Sequence, residues 1–117
     1  MNDGSEYKIA FSVQDPKYRN IILVQETYER KVKKHPEFSG DKGLNIIKKG
    51  LEDPNKIVPD KDKSDTQNYQ YEHCDSGFTK YGNYLKIAVN IWGKQGRVKT
   101  FYFTDTTDKG KPIYEKN

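Results

Sequence analysis

Residues 85–104 read LKIAVNIWGKQGRVKTFYFT, and this stretch decides the fold class. From Leu85 to Trp92 apolar residues alternate with other residues, which is the period of a half-buried β-strand. The segment GKQG at 93–96 has the composition of a hairpin loop, and Arg97 to Thr104 returns as the partner strand. The stretch therefore predicts an antiparallel sheet in the C-terminal half of the chain.

A four-residue loop would pair Trp92 with Arg97, and this register assigns the faces of the hairpin. One face would hold Leu85, Ile87, Val89, Ile91, Val98, Thr100 and Tyr102. The other would hold Lys86, Asn90, Trp92, Arg97, Lys99, Phe101 and Phe103. A slip of one residue would reverse the faces of one strand. In this register, the second face could hold phosphates on its cations and bases on its rings, or its two Phe could be covered by the N-terminal segment.

The remaining chain predicts helices first and further strands after them. A short strand is expected at Tyr7–Val13 and another at residues 21–24. A helix is expected at Thr27–Lys34, since Pro36 ends it, and a second helix after Asp41 with a stripe of Leu44, Ile47 and Leu51. A strand fragment at 57–58, a solvated loop at 60–68 and a strand at 69–73 follow.

Together these elements predict an α+β fold, with N-terminal helices packed on a twisted antiparallel sheet of about four strands. The 117 residues fit a single domain. Within it we expect an N-terminal extension at 1–20, a core at 21–104 and a polar tail at 105–117.

Charge is unevenly distributed along the chain. The formal net charge is +4, and Ser76 to Thr104 contains no acidic residue but five basic ones. An acid-free basic block favours a polyanionic partner, of which nucleic acid is the first candidate. A solvated basic surface without a partner is the alternative.

Several classes of protein are not expected. One cysteine, Cys74, allows no internal disulfide, and two histidines, His35 and His73, make a dedicated transition-metal site improbable. We therefore expect no metal and no cofactor. No stretch of the sequence predicts a membrane span or a secretory signal after Met1, which favours a cytoplasmic protein.

Four segments, taken in order, resemble one nuclease superfamily. They are RKVKKHPE at 30–37, DPNKI at 53–57, the strand at 85–91 and GRVKT at 96–100. In this order they are similar to the BECR superfamily of barnase, EndoU, colicin-type and RelE-like nucleases, and most of all to its phage and mobile-element branch. The resemblance covers about residues 21–104. That branch often has a further histidine where this chain has Arg30, a departure from a two-histidine mechanism.

The resemblance implies a metal-independent endoribonuclease, a toxin or toxin module in which the 2′-hydroxyl of RNA attacks the adjacent phosphate. The catalytic residues would be His35 in proton transfer, Arg97 as a phosphate clamp and Thr100 bonded to the scissile phosphate. The RNA-binding residues would be Arg30, Lys33, Lys34, Lys86, Lys99 and Tyr71. The partners would be RNA and an acidic immunity or antitoxin protein, and the toxin could be delivered into the cytoplasm of a target cell.

Two other functions fit the same residues. The chain could be a non-catalytic nucleic-acid-binding protein or a protein-interaction module on the same fold. In either case His35 would be an ordinary helix-end residue beside Pro36, and Tyr71 and His73 would be core residues of their strand. Cys74 is expected to be buried or chemically idle.

Overall fold

The structure is a computed structural model that describes residues 8–117. Its α-helices are α1 (Gln25–Lys34) and α2 (Gly40–Glu52), and its strands are β1 (Ile9–Gln14), β2 (Asn20–Val24), β3 (Lys56–Pro59), β4 (Thr66–Glu72), β5 (Tyr84–Trp92), β6 (Gln95–Thr104) and β7 (Tyr114–Glu115). Within residues 8–117 all seven strands form one sheet in the order β1-β2-β6-β5-β4-β3-β7. The pair β2–β6 is parallel and the other pairs are antiparallel.

The predicted sheet of about four antiparallel strands with N-terminal helices is wrong. The sheet is mixed, has seven strands in the described residues, and begins with a hairpin that precedes both helices. The segments expected to be an extension and a tail supply its edge strands, β1 and β7. The first predicted strand corresponds to β1, although Tyr7 lies outside the described residues. The parallel pair joins residues far apart in sequence, so local periodicity carries no signal for it.

The predicted helices are confirmed. In α1, Glu26 lies in the first turn and Lys31, Lys33 and Lys34 in the last, the order that the helix dipole favours. The N–H of His35 closes the helix on Lys31 O at 2.8 Å, and Pro36 prevents its continuation. Helix α2 buries a stripe that includes Ile46, Ile47 and Leu51.

Both helices cover the same side of the sheet, which we call the helix face. Leu85, Ile87 and Val89 of β5 point to this face and are fully buried. Phe38, from the 3-10 turn between the helices, stacks on Phe103 and meets the edge of Phe101. The opposite side of the sheet, which we call the open face, carries no helix of the described chain.

A C-terminal segment crosses the open face. After β6, residues 105–113, which we call the strap, run across the sheet to reach β7 beside β3. Asp108 of the strap forms an ion pair with Lys86 Nζ at 2.7 Å, and its carbonyl oxygen accepts a hydrogen bond from Lys56 Nζ at 2.7 Å. Gly110 packs against Val58. One end of the open face is therefore covered by the chain itself.

Candidate nucleic-acid interface

The hairpin of β5 and β6 has a tighter turn than the sequence predicts. Trp92 pairs with Gln95 and Asn90 pairs with Arg97, so that two residues form the turn instead of four. Gly93 permits this turn because its φ is +61°, a conformation that costs glycine little. The four-residue register is therefore wrong.

A bulge in β6 changes the assignment of faces, whereas the shorter turn shifts the pairing by two residues and keeps each side chain on its face. Val89 pairs with Val98 and Ala88 with Thr100, which leaves Lys99 as the extra residue. Phe101 and Phe103 consequently face the helices. The open face instead carries Arg97, Lys99, Thr100 and Tyr102 beside Lys86.

A polar cleft lies at the centre of the open face. It has a volume of about 250 Å³ and Ala88 forms its floor. Ala88 pairs with Thr100 on one side and with Asn68 on the other, so a methyl group sits between longer polar side chains. The remaining lining residues are Asp60, Lys63, Thr66, Lys86, Lys99 and Tyr102. The cleft thus exists because the residue at the centre of the face is small.

The cations of the cleft are held by hydroxyl and carboxylate groups. Lys99 Nζ lies 3.5 Å from Thr66 Oγ1, a hydroxyl that also lies 3.0 Å from Asp65 Oδ1 and 3.1 Å from Asn90 Oδ1. Burial opposes the charge of Lys86, but the Asp108 carboxylate and Tyr102 outweigh this effect and raise its pKa. The Lys86 ammonium also lies 5.9 Å from the centre of the Tyr102 ring. Lys86 is therefore charged at neutral pH.

Asp60 is the carboxylate among the lining residues. Its Oδ1 accepts a hydrogen bond from Asn68 Nδ2 at 3.2 Å, and its Oδ2 accepts from the N–H groups of Asp62 and Lys63 at 3.1 and 3.0 Å. The Asn68 bond, followed by these backbone bonds, lowers the pKa of Asp60. The same bonds fold the loop so that Lys63 lines the cleft.

Arg97 and Trp92 extend the open face beyond the cleft. Arg97 is half-buried, pairs with Asn90 in β5 and lies beside Ile22 of β2. Trp92 belongs to the same face at the tip of β5, and 53% of its surface is exposed. Cations and an accessible ring therefore follow one another from the hairpin tip to the cleft.

His35 lies on the other side of the sheet. It caps α1, and its ring meets the edge of Phe38 at a centroid distance of 6.5 Å. Phe38 packs on the helix face, whereas Thr100 lines the cleft on the open face. Nδ1 of His35 lies 3.5 Å from a carboxylate oxygen of Glu37. The three predicted catalytic residues are therefore not brought together: Arg97 and Thr100 share a face, and His35 does not.

The predicted RNA-binding residues also divide between the two sides. Lys86 and Lys99 line the cleft. Arg30, Lys33 and Lys34 are exposed on α1, away from the lining residues of the cleft. Tyr71 lines a different cavity of about 430 Å³, between α2 and the end of β4.

His73 has the core position that its strand pattern allows. It is 4% exposed, and its Nε2 lies 2.7 Å from Gly82 O. Cys74 beside it is exposed rather than buried.

Sequence reasoning missed several residues of the cleft. Thr66 and Asn68 fall within the predicted loop 60–68, yet they begin β4 and face the cleft. Their signal is an alternation with Gln67 that continues into Tyr69, but polar residues at both positions hide it. Asp60 and Lys63 carry no local signal, because the fold of their loop brings them to the sheet.

No helix within residues 8–117 is long and apolar enough to cross a membrane. The same part of the chain contains no group of three or more His, Cys, Asp or Glu side chains that could hold a metal ion.

No protein-family model, curated protein or solved structure matches this chain.

Proposed function

We propose that this protein is a metal-independent ribonuclease that binds and cleaves RNA in the cleft of the open face. The observation that carries the proposal is the convergence of Lys86, Lys99 and Thr100 around the Ala88 floor. Ammonium groups neutralise phosphate, and a threonine hydroxyl can donate to a phosphate oxygen. The basic residues of β5 and β6 lie in the acid-free stretch from 76 to 104, so phosphate meets no opposing charge from these two strands.

The cleft also contains groups for the two proton transfers of RNA cleavage. A carboxylate can accept the proton of the 2′-hydroxyl, and Asp60 is ionised at neutral pH, as an ordinary aspartate is; its hydrogen bonds lower its pKa further. Lys99 would neutralise the charge that develops on the phosphorane. The phenol of Tyr102 would protonate the departing 5′ oxygen. In this proposal His35 takes no part in the proton transfers.

A second candidate is binding of RNA without cleavage. It is favoured by the separation of His35 from Arg97 and Thr100, which leaves the cleft without an imidazole. Both candidates predict binding to the same face, and they differ in whether the RNA is cut.

The resemblance to mobile-element nucleases adds a biological role to the proposal. In that setting the protein is a toxin or toxin module that acts on RNA in a cytoplasm. An acidic immunity or antitoxin protein would neutralise it by covering the cations of the open face.

The test is incubation of the protein with a labelled single-stranded RNA in EDTA. We expect fragments that end in 2′,3′-cyclic phosphate, together with an affinity that falls steeply as salt rises. Ala88→Leu fills the floor of the cleft without changing charge, and it should reduce both binding and cleavage at least tenfold.

Ser12→Leu is the control, since it places a leucine at an exposed position of β1 outside the cleft and removes only the surface hydrogen bond from Ser12 to Asn20. Binding without fragments would favour the second candidate. Equal activity of Ala88→Leu and wild type, with both proteins folded by thermal melting, would show that the cleft is not the site.

A further inference from the structure

The strap covers a second set of polar groups on the open face. Gln70 of β4 pairs with Lys56 of β3 on one side and with Lys86 of β5 on the other. Both lysines reach Asp108: Lys86 Nζ lies 2.7 Å from its Oδ1, and Lys56 Nζ lies 2.7 Å from its carbonyl oxygen. Asp108 therefore lies above Gln70, between two ammonium groups.

Gln70 is buried without partners. It is 2% exposed, and neither its amide nitrogen nor its amide oxygen has a hydrogen-bond partner among the described residues. The same holds for Oδ2 of Asp108. Burial of unpaired donors and acceptors is unfavourable, so closure of the strap at this point costs free energy. This cost makes displacement of the strap easier.

The Asp108 carboxylate at Lys86, next to the Asp108 carbonyl oxygen at Lys56, occupies a position that suits a phosphate. Carboxylate and phosphate are both anions that lysine binds through charge-assisted hydrogen bonds. The amide of Gln70 offers one donor and one acceptor in a plane, the pair that glutamine uses to bind N6 and N7 of adenine. A lysine pair and an amide, side by side, match a nucleotide with its phosphate and its base.

We infer that Lys56, Lys86 and Gln70 form a nucleotide subsite that selects adenine, and that Asp108 of the strap closes it. The inference rests on the proposed function, because Lys86 also lines the cleft and joins the two sites. RNA that enters the subsite replaces Asp108 with its own phosphate, and Gln70 then reads the adjacent base. The strap thus limits the affinity of the protein for RNA.

The test compares Asp108→Asn with wild type by the anisotropy of labelled oligo(A) and oligo(U) in EDTA at several salt concentrations. The substitution removes the carboxylate charge that pairs with Lys86, while Lys56 keeps its bond to the backbone carbonyl of residue 108. It should raise the affinity for oligo(A) about tenfold at low salt and steepen the salt dependence by about one phosphate contact. Asp105→Asn is the matched control, since it removes the same charge from the strap while its carboxylate meets Asn83 N rather than a lysine.

Gln70→Leu tests recognition of the base separately from binding of the phosphate. In the Asp108→Asn protein it should abolish the preference for oligo(A) over oligo(U) and leave the salt dependence unchanged, because the lysines remain. A preference that survives Gln70→Leu would overturn the adenine assignment.

The remaining outcomes separate this inference from the proposed function. Equal affinity and salt dependence of Asp108→Asn and Asp105→Asn, with wild type still binding RNA, would overturn the subsite alone. Absence of binding by every variant would overturn the proposed function and the subsite with it.

Discussion

At the scale of single residues, the question is whether Asp60 or His35 accepts the proton of the 2′-hydroxyl. If Asp60 accepts the proton of the 2′-hydroxyl, Asp60→Asn should slow cleavage by about 10²- to 10⁴-fold, and His35→Ala should cleave like wild type. The pKa of Asp60 is lowered, so the wild-type rate should stay constant as the pH falls to about 4, the ordinary carboxylate value. An imidazole base would lose activity near pH 6.5.

Single-turnover rates of both variants and of wild type between pH 4 and 8 measure this difference. If His35→Ala is slower than wild type, and if the wild-type rate falls below about pH 6.5, the base is His35 and not Asp60. Asp62→Asn, in the same loop but outside the lining residues of the cleft, controls for the change of charge.

The sequence identifies some residues that line the cleft, but not the residues that surround them. Lys86 and Lys99 are candidate site residues because of their charge, Thr100 is one through the family resemblance, and all three line one cleft. Thr66 and Asp60 join them through the pairing of β4 with β5 and through the fold of a loop. Thr66 meets Asn90 across 24 residues of sequence, and Asp60 is positioned by bonds from Asp62, Lys63 and Asn68; composition records neither kind of contact.

At the scale of elements, the packing of α2 depends on one glycine. A Cβ built on Gly43 would lie 1.7 Å from the carbonyl oxygen of Phe38, which is backbone and cannot turn aside. Gly43→Ala must therefore separate α2 from the 3-10 turn, and we expect a loss of about 2–3 kcal/mol in the free energy of unfolding. Urea unfolding measures this loss.

Gly40 provides the control for helix α2. Its φ is +81°, but a Cβ at this position would meet nothing within 4 Å. Gly40→Ala should therefore cost only about 1 kcal/mol, the strain of a left-handed conformation. Equal losses for the two variants would show that close packing at Gly43 is unimportant.

Element type was more predictable than element pairing, and the β5–β6 hairpin shows why. Alternation over residues 85–92 identifies β5, since side chains on one face must be apolar to be buried. The register of β6 depends on a turn of two residues at Gly93 and on a bulge at Lys99. The turn shifts the pairing of β6 by two residues and leaves its faces unchanged, whereas the bulge reverses the faces from Thr100 onward. Neither changes the composition of the strand.

At the scale of the whole molecule, a buried polar cluster ties the first hairpin to the middle of the sheet. Arg19 Nε donates to Asp15 Oδ2 at 2.9 Å, and Arg19 Nη2 donates to the Tyr69 hydroxyl at 3.0 Å. The Tyr69 hydroxyl donates in turn to Asp15. The loop between β1 and β2 thereby reaches β4, which lies three positions from β2 in the sheet. This cluster helps to close the sheet around its core.

This cluster makes the stability of the molecule sensitive to alkaline pH. Burial, and then the hydrogen bond to Asp15 and its charge, raise the pKa of Tyr69 well above its ordinary value. An unfolded tyrosine loses its proton near pH 10, whereas folded Tyr69 keeps its own. Above that pH the native state binds more protons than the unfolded state, so this group lowers stability by about 1.4 kcal/mol per pH unit.

Tyr69→Phe should remove this contribution. At pH 8 the variant should be less stable than wild type by about 1–3 kcal/mol, because Asp15 and Arg19 each lose a buried partner. Between pH 9 and 11 the two free energies of unfolding should converge, since wild type alone loses stability through this phenol. Urea unfolding at each pH measures both curves. Tyr18→Phe, which removes a phenol from a side chain that is 74% exposed, is the control. If the free energy of Tyr69→Phe falls as steeply as that of wild type, the cluster does not set the alkaline limit of the fold.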